Sequence, residues 1–173
     1  MTRILIAFSI FITFLFPSCG QTKDLTEEEI YSIINEIITD DSIQTASTIC
    51  ADFADLRWNS EFEKSFTKDD MKFSAAQDKK FASMKIKADK IKKYYWKIAV
   101  QKNISPYLNV DPNCNDTIHH TYFSFPVISA DRQKVLIHMG SDGCFMCGGS
   151  GTYLYEKQNG RWKQIKYWDV IIV

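Results

Sequence analysis

Apolar residues fall along this chain in three rhythms, and each rhythm predicts a different element. From Ile4 to Phe16 they are almost continuous, with eleven apolar positions in thirteen, Arg3 before them and Pro17-Ser18 after. A bilayer-spanning helix needs about 20 apolar residues, so this run is too short to cross and has the length of a secretory signal core. From Ile30 to Ile38 the spacing becomes helical: Ile30, Ile33, Ile34, Ile37 and Ile38 make one stripe. In the last third, short apolar and aromatic runs separated by turn residues predict strands.

The local signals sharpen these elements. Thr26-Glu27-Glu28-Glu29 is a capping box, Leu25 and Ile30 stand at staple positions, and three acids in the first turn suit the helix dipole. A helix is therefore expected from Thr26 to about Thr39. Thr67 predicts a second helix start, with Phe66 and Met71 as its staple, running to about Phe81. Ser42–Phe62 is expected to hold one strand or an irregular segment. Met84, Ile86 and Ala88 alternate with Lys85, Lys87 and Asp89, which predicts a strand with one wet face. Ile91–Val100 suits strand or helix. Gln101–His120, with two prolines and four asparagines, reads as a long loop of the kind that often carries function. Strands are expected at Thr121–Ile128, where Pro126 implies an edge or bulge, at Gln133–Met139, at Thr152–Lys157 and at Arg161–Tyr167. Asn159-Gly160 is the hairpin turn before the last of these, and Trp168–Val173 extends it or adds another. The expected fold is α+β: N-terminal helices packed on a mostly antiparallel sheet that ends in a C-terminal β-meander.

Ser18-Cys19 follows the apolar run after Pro17 and resembles the lipobox of bacterial lipoproteins. The resemblance implies a signal peptide at residues 1–18 and a lipidated Cys19. Residues 19–24 would then be a tether and residues 25–173 a single domain. The implied address is the bacterial cell envelope, on the extracytoplasmic side, with the membrane as partner through the lipid. Removing Arg3 with the leader takes 21 basic and 21 acidic side chains to 20 and 21. This balance points to no nucleic-acid partner. Charge is nonetheless segregated. Asp24–Asp70 holds 13 acids and three bases, while Lys79–Lys97 holds eight lysines and one acid. Two solvated faces lying close together explain this; a basic patch beside Tyr94, Tyr95 and Trp96 is the alternative.

With Cys19 lipidated, four cysteines remain, and outside the cytoplasm they are expected to oxidise. The simplest of the three pairings joins Cys144 to Cys147 and Cys50 to Cys114. Cys144 and Cys147 sit in a glycine-rich stretch from Ser141 to Gly151 that admits three chemistries. A structural disulfide would close a small ring, with the glycines supplying its bend. A reactive pair would need a following helix, where Gly148-Gly149-Ser150-Gly151 stands instead. A metal site would need ligands beyond the two thiolates, from His119, His120, His138 or Cys114. No nucleophile elbow, phosphate-binding glycine loop or His-Glu-x-x-His is present, so no catalytic residues, metal ligands or cofactors are assigned.

Ser124-Phe125-Pro126, Ser129-Ala130-Asp131, the Cys144–Cys147 loop and Asn159-Gly160-Arg161-Trp162 follow one another over the final third. This series resembles small bacterial lipoproteins with a Cys-Gly-x-x-Cys-Gly hairpin-loop domain and no assigned activity. The present chain departs at Phe145, where those proteins carry glycine. The resemblance implies a shared domain. The function expected is that of a non-enzymatic, lipid-anchored module that binds a protein, peptide or envelope ligand. The alternative is a metal- or thiol-dependent activity at the Cys144–Cys147 loop.

Overall fold

The structure, a computed structural model, describes residues 23–40, 48–56, 60–91, 109–112, 114, 120–142 and 149–172. Cys19, Cys144, Cys147 and His119 lie outside the described residues, as does Ile91–Val100 apart from Ile91.

The chain is α+β. Among the described residues, three helices, α1 (Glu27–Asp40), α2 (Ser60–Glu63) and α3 (Lys68–Phe81), accompany a seven-stranded, mostly antiparallel sheet. Its strands are β1 (Thr48–Cys50), β2 (Asn109–Asp111), β3 (His120–Phe123), β4 (Val127–Ile128), β5 (Lys134–Asp142), β6 (Gly149–Gln158) and β7 (Arg161–Ile172). They lie in the order β2-β1-β3-β5-β6-β7, with β4 pairing β5. β1 runs parallel to both β2 and β3; the β3–β5–β6–β7 pairings are antiparallel.

The capping signals act as their chemistry dictates. Glu29 accepts the Thr26 amide at 2.8 Å and Thr26 Oγ1 accepts the Glu29 amide at 3.2 Å. Leu25 and Ile30 are buried beside one another's turn, and the isoleucine stripe enters the main core. Each such side chain contributes about 1.5–3 kcal/mol when withdrawn from water. Thr67 caps α3 reciprocally with Asp70. That helix spans the range its sequence predicts.

Alternation along β5 divides the core. Val135, Ile137 and Met139 face α1 and α3 in the main cluster, whereas Leu136 packs with Leu154, Phe62 and Phe66 on the other face. The short helix α2 exists to deliver Phe62, which meets Trp168 edge to face at 4.9 Å. α1 is tied to the β6–β7 hairpin by Glu36, which accepts from Lys157 Nζ and Trp162 Nε1, and by Asp40, which accepts the Trp162 amide at 2.8 Å. The turn at Asn159-Gly160 has positive φ at both residues, 53° and 77°, as a type I′ hairpin requires.

Two expectations fail. Met84–Ala88 is not a strand. Its exposure alternates, but the hydroxyl of Tyr31 on α1 takes the Lys87 amide and donates to the Lys85 carbonyl, and Ala88–Lys90 turns into a 3₁₀ helix. A helix side chain satisfies backbone groups that a ladder would otherwise use. The long loop is also interrupted, because β2 forms within it and pairs with β1. Pro126 falls in the break between β3 and β4, the edge or bulge position its missing N–H demands.

Candidate functional site

A cleft of about 490 Å³ lies between α3 and the segment Asp52–Leu56 that follows β1. α3 contributes Ser74, Ala75, Asp78 and Phe81, whose helical spacing puts them on one face, and Ala82 follows at its C-terminal cap. The opposite wall is pinned to β3, where the Ala54 amide donates to the Phe123 carbonyl at 2.7 Å and Ala54 bridges Ser124. The Ile86 amide holds the same wall lower down through the Ala51 carbonyl. α3 is fixed to the sheet by Asp70, whose Oδ1 accepts the Ala130 amide at 2.8 Å. Burial raises the Asp70 pKa, but the amides of Thr67 and Ala130 and the Thr67 hydroxyl outweigh it, so the carboxyl is held below its usual range.

The floor is aromatic. Phe125 meets Phe53 edge to face at 5.5 Å and stacks with Phe81 at 5.8 Å. All three rings are half-buried, so each keeps surface toward the cleft. The rim is acidic. Asp52, Asp55 and Asp78 line it and are exposed, and no basic residue is among the described residues that line it. Asp52 is engaged by Lys85. Asp55 and Asp78, one from each wall, have no partner among the described residues. Lys80, whose Nζ lies 5.2 Å from the centre of the Phe81 ring, is held by Asp24 and the Leu25 carbonyl. Ser74 is 7% exposed and lines the cleft, and its hydroxyl makes no hydrogen bond among the described residues. Since no fully buried side-chain oxygen among the described residues is unsatisfied, that hydroxyl retains access to the cleft.

Among the described residues the lining holds no histidine, cysteine or lysine; Ser74 is its hydroxyl and Asp52, Asp55 and Asp78 are its carboxylates. What it offers is apolar surface, two free carboxylates and one hydroxyl. A few polar groups around a mostly apolar concavity are the usual make-up of a ligand site.

The residues singled out from the sequence gather elsewhere. Cys50 and Cys114 form a disulfide with Cα atoms 5.2 Å apart. Beside Cys50 in the ladder is Asp111, whose Oδ2 lies 3.0 Å from His120 Nε2; the His120 side chain is 2% exposed. His138 sits across from Thr152 with Nδ1 3.0 Å from its hydroxyl and packs against Tyr122. Cys114, His120 and His138 thus have partners other than a metal. Among the described residues, no three His, Cys, Asp or Glu side chains converge as ligands. The acidic and basic runs meet as paired surfaces, through Lys80–Asp24, Lys85–Asp52 and Lys87–Glu27. Tyr94, Tyr95 and Trp96 lie outside the described residues.

A second exposed surface lies on edge strand β7, where Ile165, Tyr167, Val170 and Ile171 face solvent. Two register shifts opposite β6 and the flanking Lys163 and Lys166 blunt this edge against strand addition. The cleft residues escaped the sequence reading because they come from three separate segments. One signal was present: Ser74, Ala75, Asp78 and Ala82 make a small-residue strip at helical spacing, next to Phe81. No protein-family model matches the chain, and neither a curated protein nor a solved structure matches it.

Proposed function

We propose that this chain is a lipid-anchored, extracytoplasmic binding module that holds a protein or peptide ligand in the cleft beside α3 and performs no chemistry on it. The observation that carries this is the cleft itself: a pinned aromatic floor with uncommitted polar groups at the rim. The leader and Ser18-Cys19 support the anchor, and the chain behind them has no charge imbalance that would draw it elsewhere.

The test is genetic and separates the cleft from the cysteine loop. Ala75→Trp places an indole in the cleft from an exposed position on α3. Expressed in place of the wild type, it should be stable and anchored, yet reproduce the fitness profile of a deletion across envelope stresses. Cys144→Ser with Cys147→Ser should remain close to wild type. A wild-type profile for the filled cleft, or a deletion profile for the cysteine pair alone, would move the function to the loop.

A further inference from the structure

We infer that the ligand of the cleft is a cationic amphipathic peptide segment: extended, with an aromatic or aliphatic residue between lysines or arginines. The inference rests on the reading of the cleft as a binding site and adds the chemistry of what binds. Three observations carry it. The floor of Phe53, Phe81 and Phe125 offers half-buried ring surface that only an apolar side chain covers without loss of hydrogen bonds. Among the described residues the rim's charges are all acidic, and its two unpaired carboxylates, Asp55 and Asp78, stand on opposite walls. A segment lying between the walls therefore meets a carboxylate on either side, whereas an anionic segment would meet two like charges. Ser74 supplies the third observation. A serine more than nine-tenths buried, with its hydroxyl unpartnered and facing the cleft, is suited to a ligand backbone group. Of the neighbouring lysines, Lys85 pairs with Asp52 and Lys80 is held by Asp24, which leaves Asp55 and Asp78 as the rim's uncommitted carboxylates among the described residues.

The experiment uses the processed, lipid-anchored protein in zwitterionic phosphatidylcholine nanodiscs, with empty nanodiscs as blank. Fluorescence anisotropy is read with three labelled hexapeptides: alternating lysine and phenylalanine, alternating glutamate and phenylalanine, and alternating lysine and serine. The lysine–phenylalanine peptide should bind at least tenfold more tightly than either control. Asp55→Asn with Asp78→Asn should weaken it roughly tenfold at low salt, about two- to fivefold for each exposed carboxylate, and less in high salt. Both residues are exposed, so the urea midpoint of this variant should stay unchanged. Ala75→Trp should abolish binding. Equal binding of the lysine and glutamate peptides, or no effect of the double variant, overturns the cationic preference. If Ala75→Trp still blocks both peptides, the cleft remains a binding site and only its charge selectivity is wrong. If no peptide binds, the inference falls, and the fitness comparison decides the module reading on its own.

Discussion

Asp70 is the side chain through which α3, one wall of the cleft, is held to the sheet, and its removal has a calculable cost. Its carboxylate accepts the Thr67 amide at 2.9 Å, the Thr67 hydroxyl at 2.8 Å and the Ala130 amide at 2.8 Å. Asp70→Ala removes half of a capping box, worth about 1 kcal/mol. It also leaves a partly buried amide at Ala130 without its charged acceptor, which costs about 1–3 kcal/mol. The expected loss is about 2–4 kcal/mol, since the bonds share one group and do not add fully. With a urea slope of about 1–3 kcal/mol per molar, the unfolding midpoint should fall by roughly 1–2 M. Asp70→Asn keeps the size but not the charge and should lose about half as much. The pH dependence has a definite sign. The folded pKa lies below the unfolded value of about 3.9, so the stabilisation is present above that value and is lost as pH falls through the folded pKa. The stability gap between wild type and Asp70→Asn should therefore be full at pH 7 and shrink below about pH 4. A variant within 0.5 kcal/mol of wild type (roughly the noise of a surface substitution), or a gap constant down to pH 3, would refute the claim that this carboxylate fastens the wall.

Other parts of the account are as exposed to test. Reducing the Cys50–Cys114 disulfide, which closes a loop of 64 residues, should cost up to about 4 kcal/mol by loop entropy; free thiols at both positions in exported protein would remove it. Peptide mapping should find Cys144 joined to Cys147, and a link from either to Cys50 or Cys114, or stoichiometric zinc on free thiols, would contradict that. Mature protein should yield an acylated peptide beginning at Cys19, and Cys19→Ala should block processing; an unmodified start elsewhere would end the anchor proposal.

Sequence was a good guide wherever structure is local. The Thr26 capping box, the Thr67 cap, the isoleucine stripe and the Asn159-Gly160 turn depend on neighbours within a few residues, and each forms as its chemistry requires. It failed where a distant group competes. Met84–Ala88 has the alternation of a strand, yet the Tyr31 hydroxyl, 54 residues away from Lys85, takes its backbone groups. β2 hides in a polar loop because its three residues form a strand only against β1. The cleft was least legible. Phe53, Phe81 and Phe125 each look like ordinary core residues, and only the fold shows that they are half-buried and share one concavity. The residues the sequence did single out, Cys50, Cys114 and His120, are not among those that line it.

The central claim is that peptide binding occurs in this cleft, and intermolecular nuclear Overhauser effects from the lysine–phenylalanine peptide test it most directly. The account predicts contacts from the peptide's ring protons to Phe53, Phe81 and Phe125, and from its lysine methylenes to Asp55 and Asp78. Contacts instead to Ile165, Tyr167 and Ile171, the exposed apolar residues of β7, would place the binding surface on the sheet edge and contradict it.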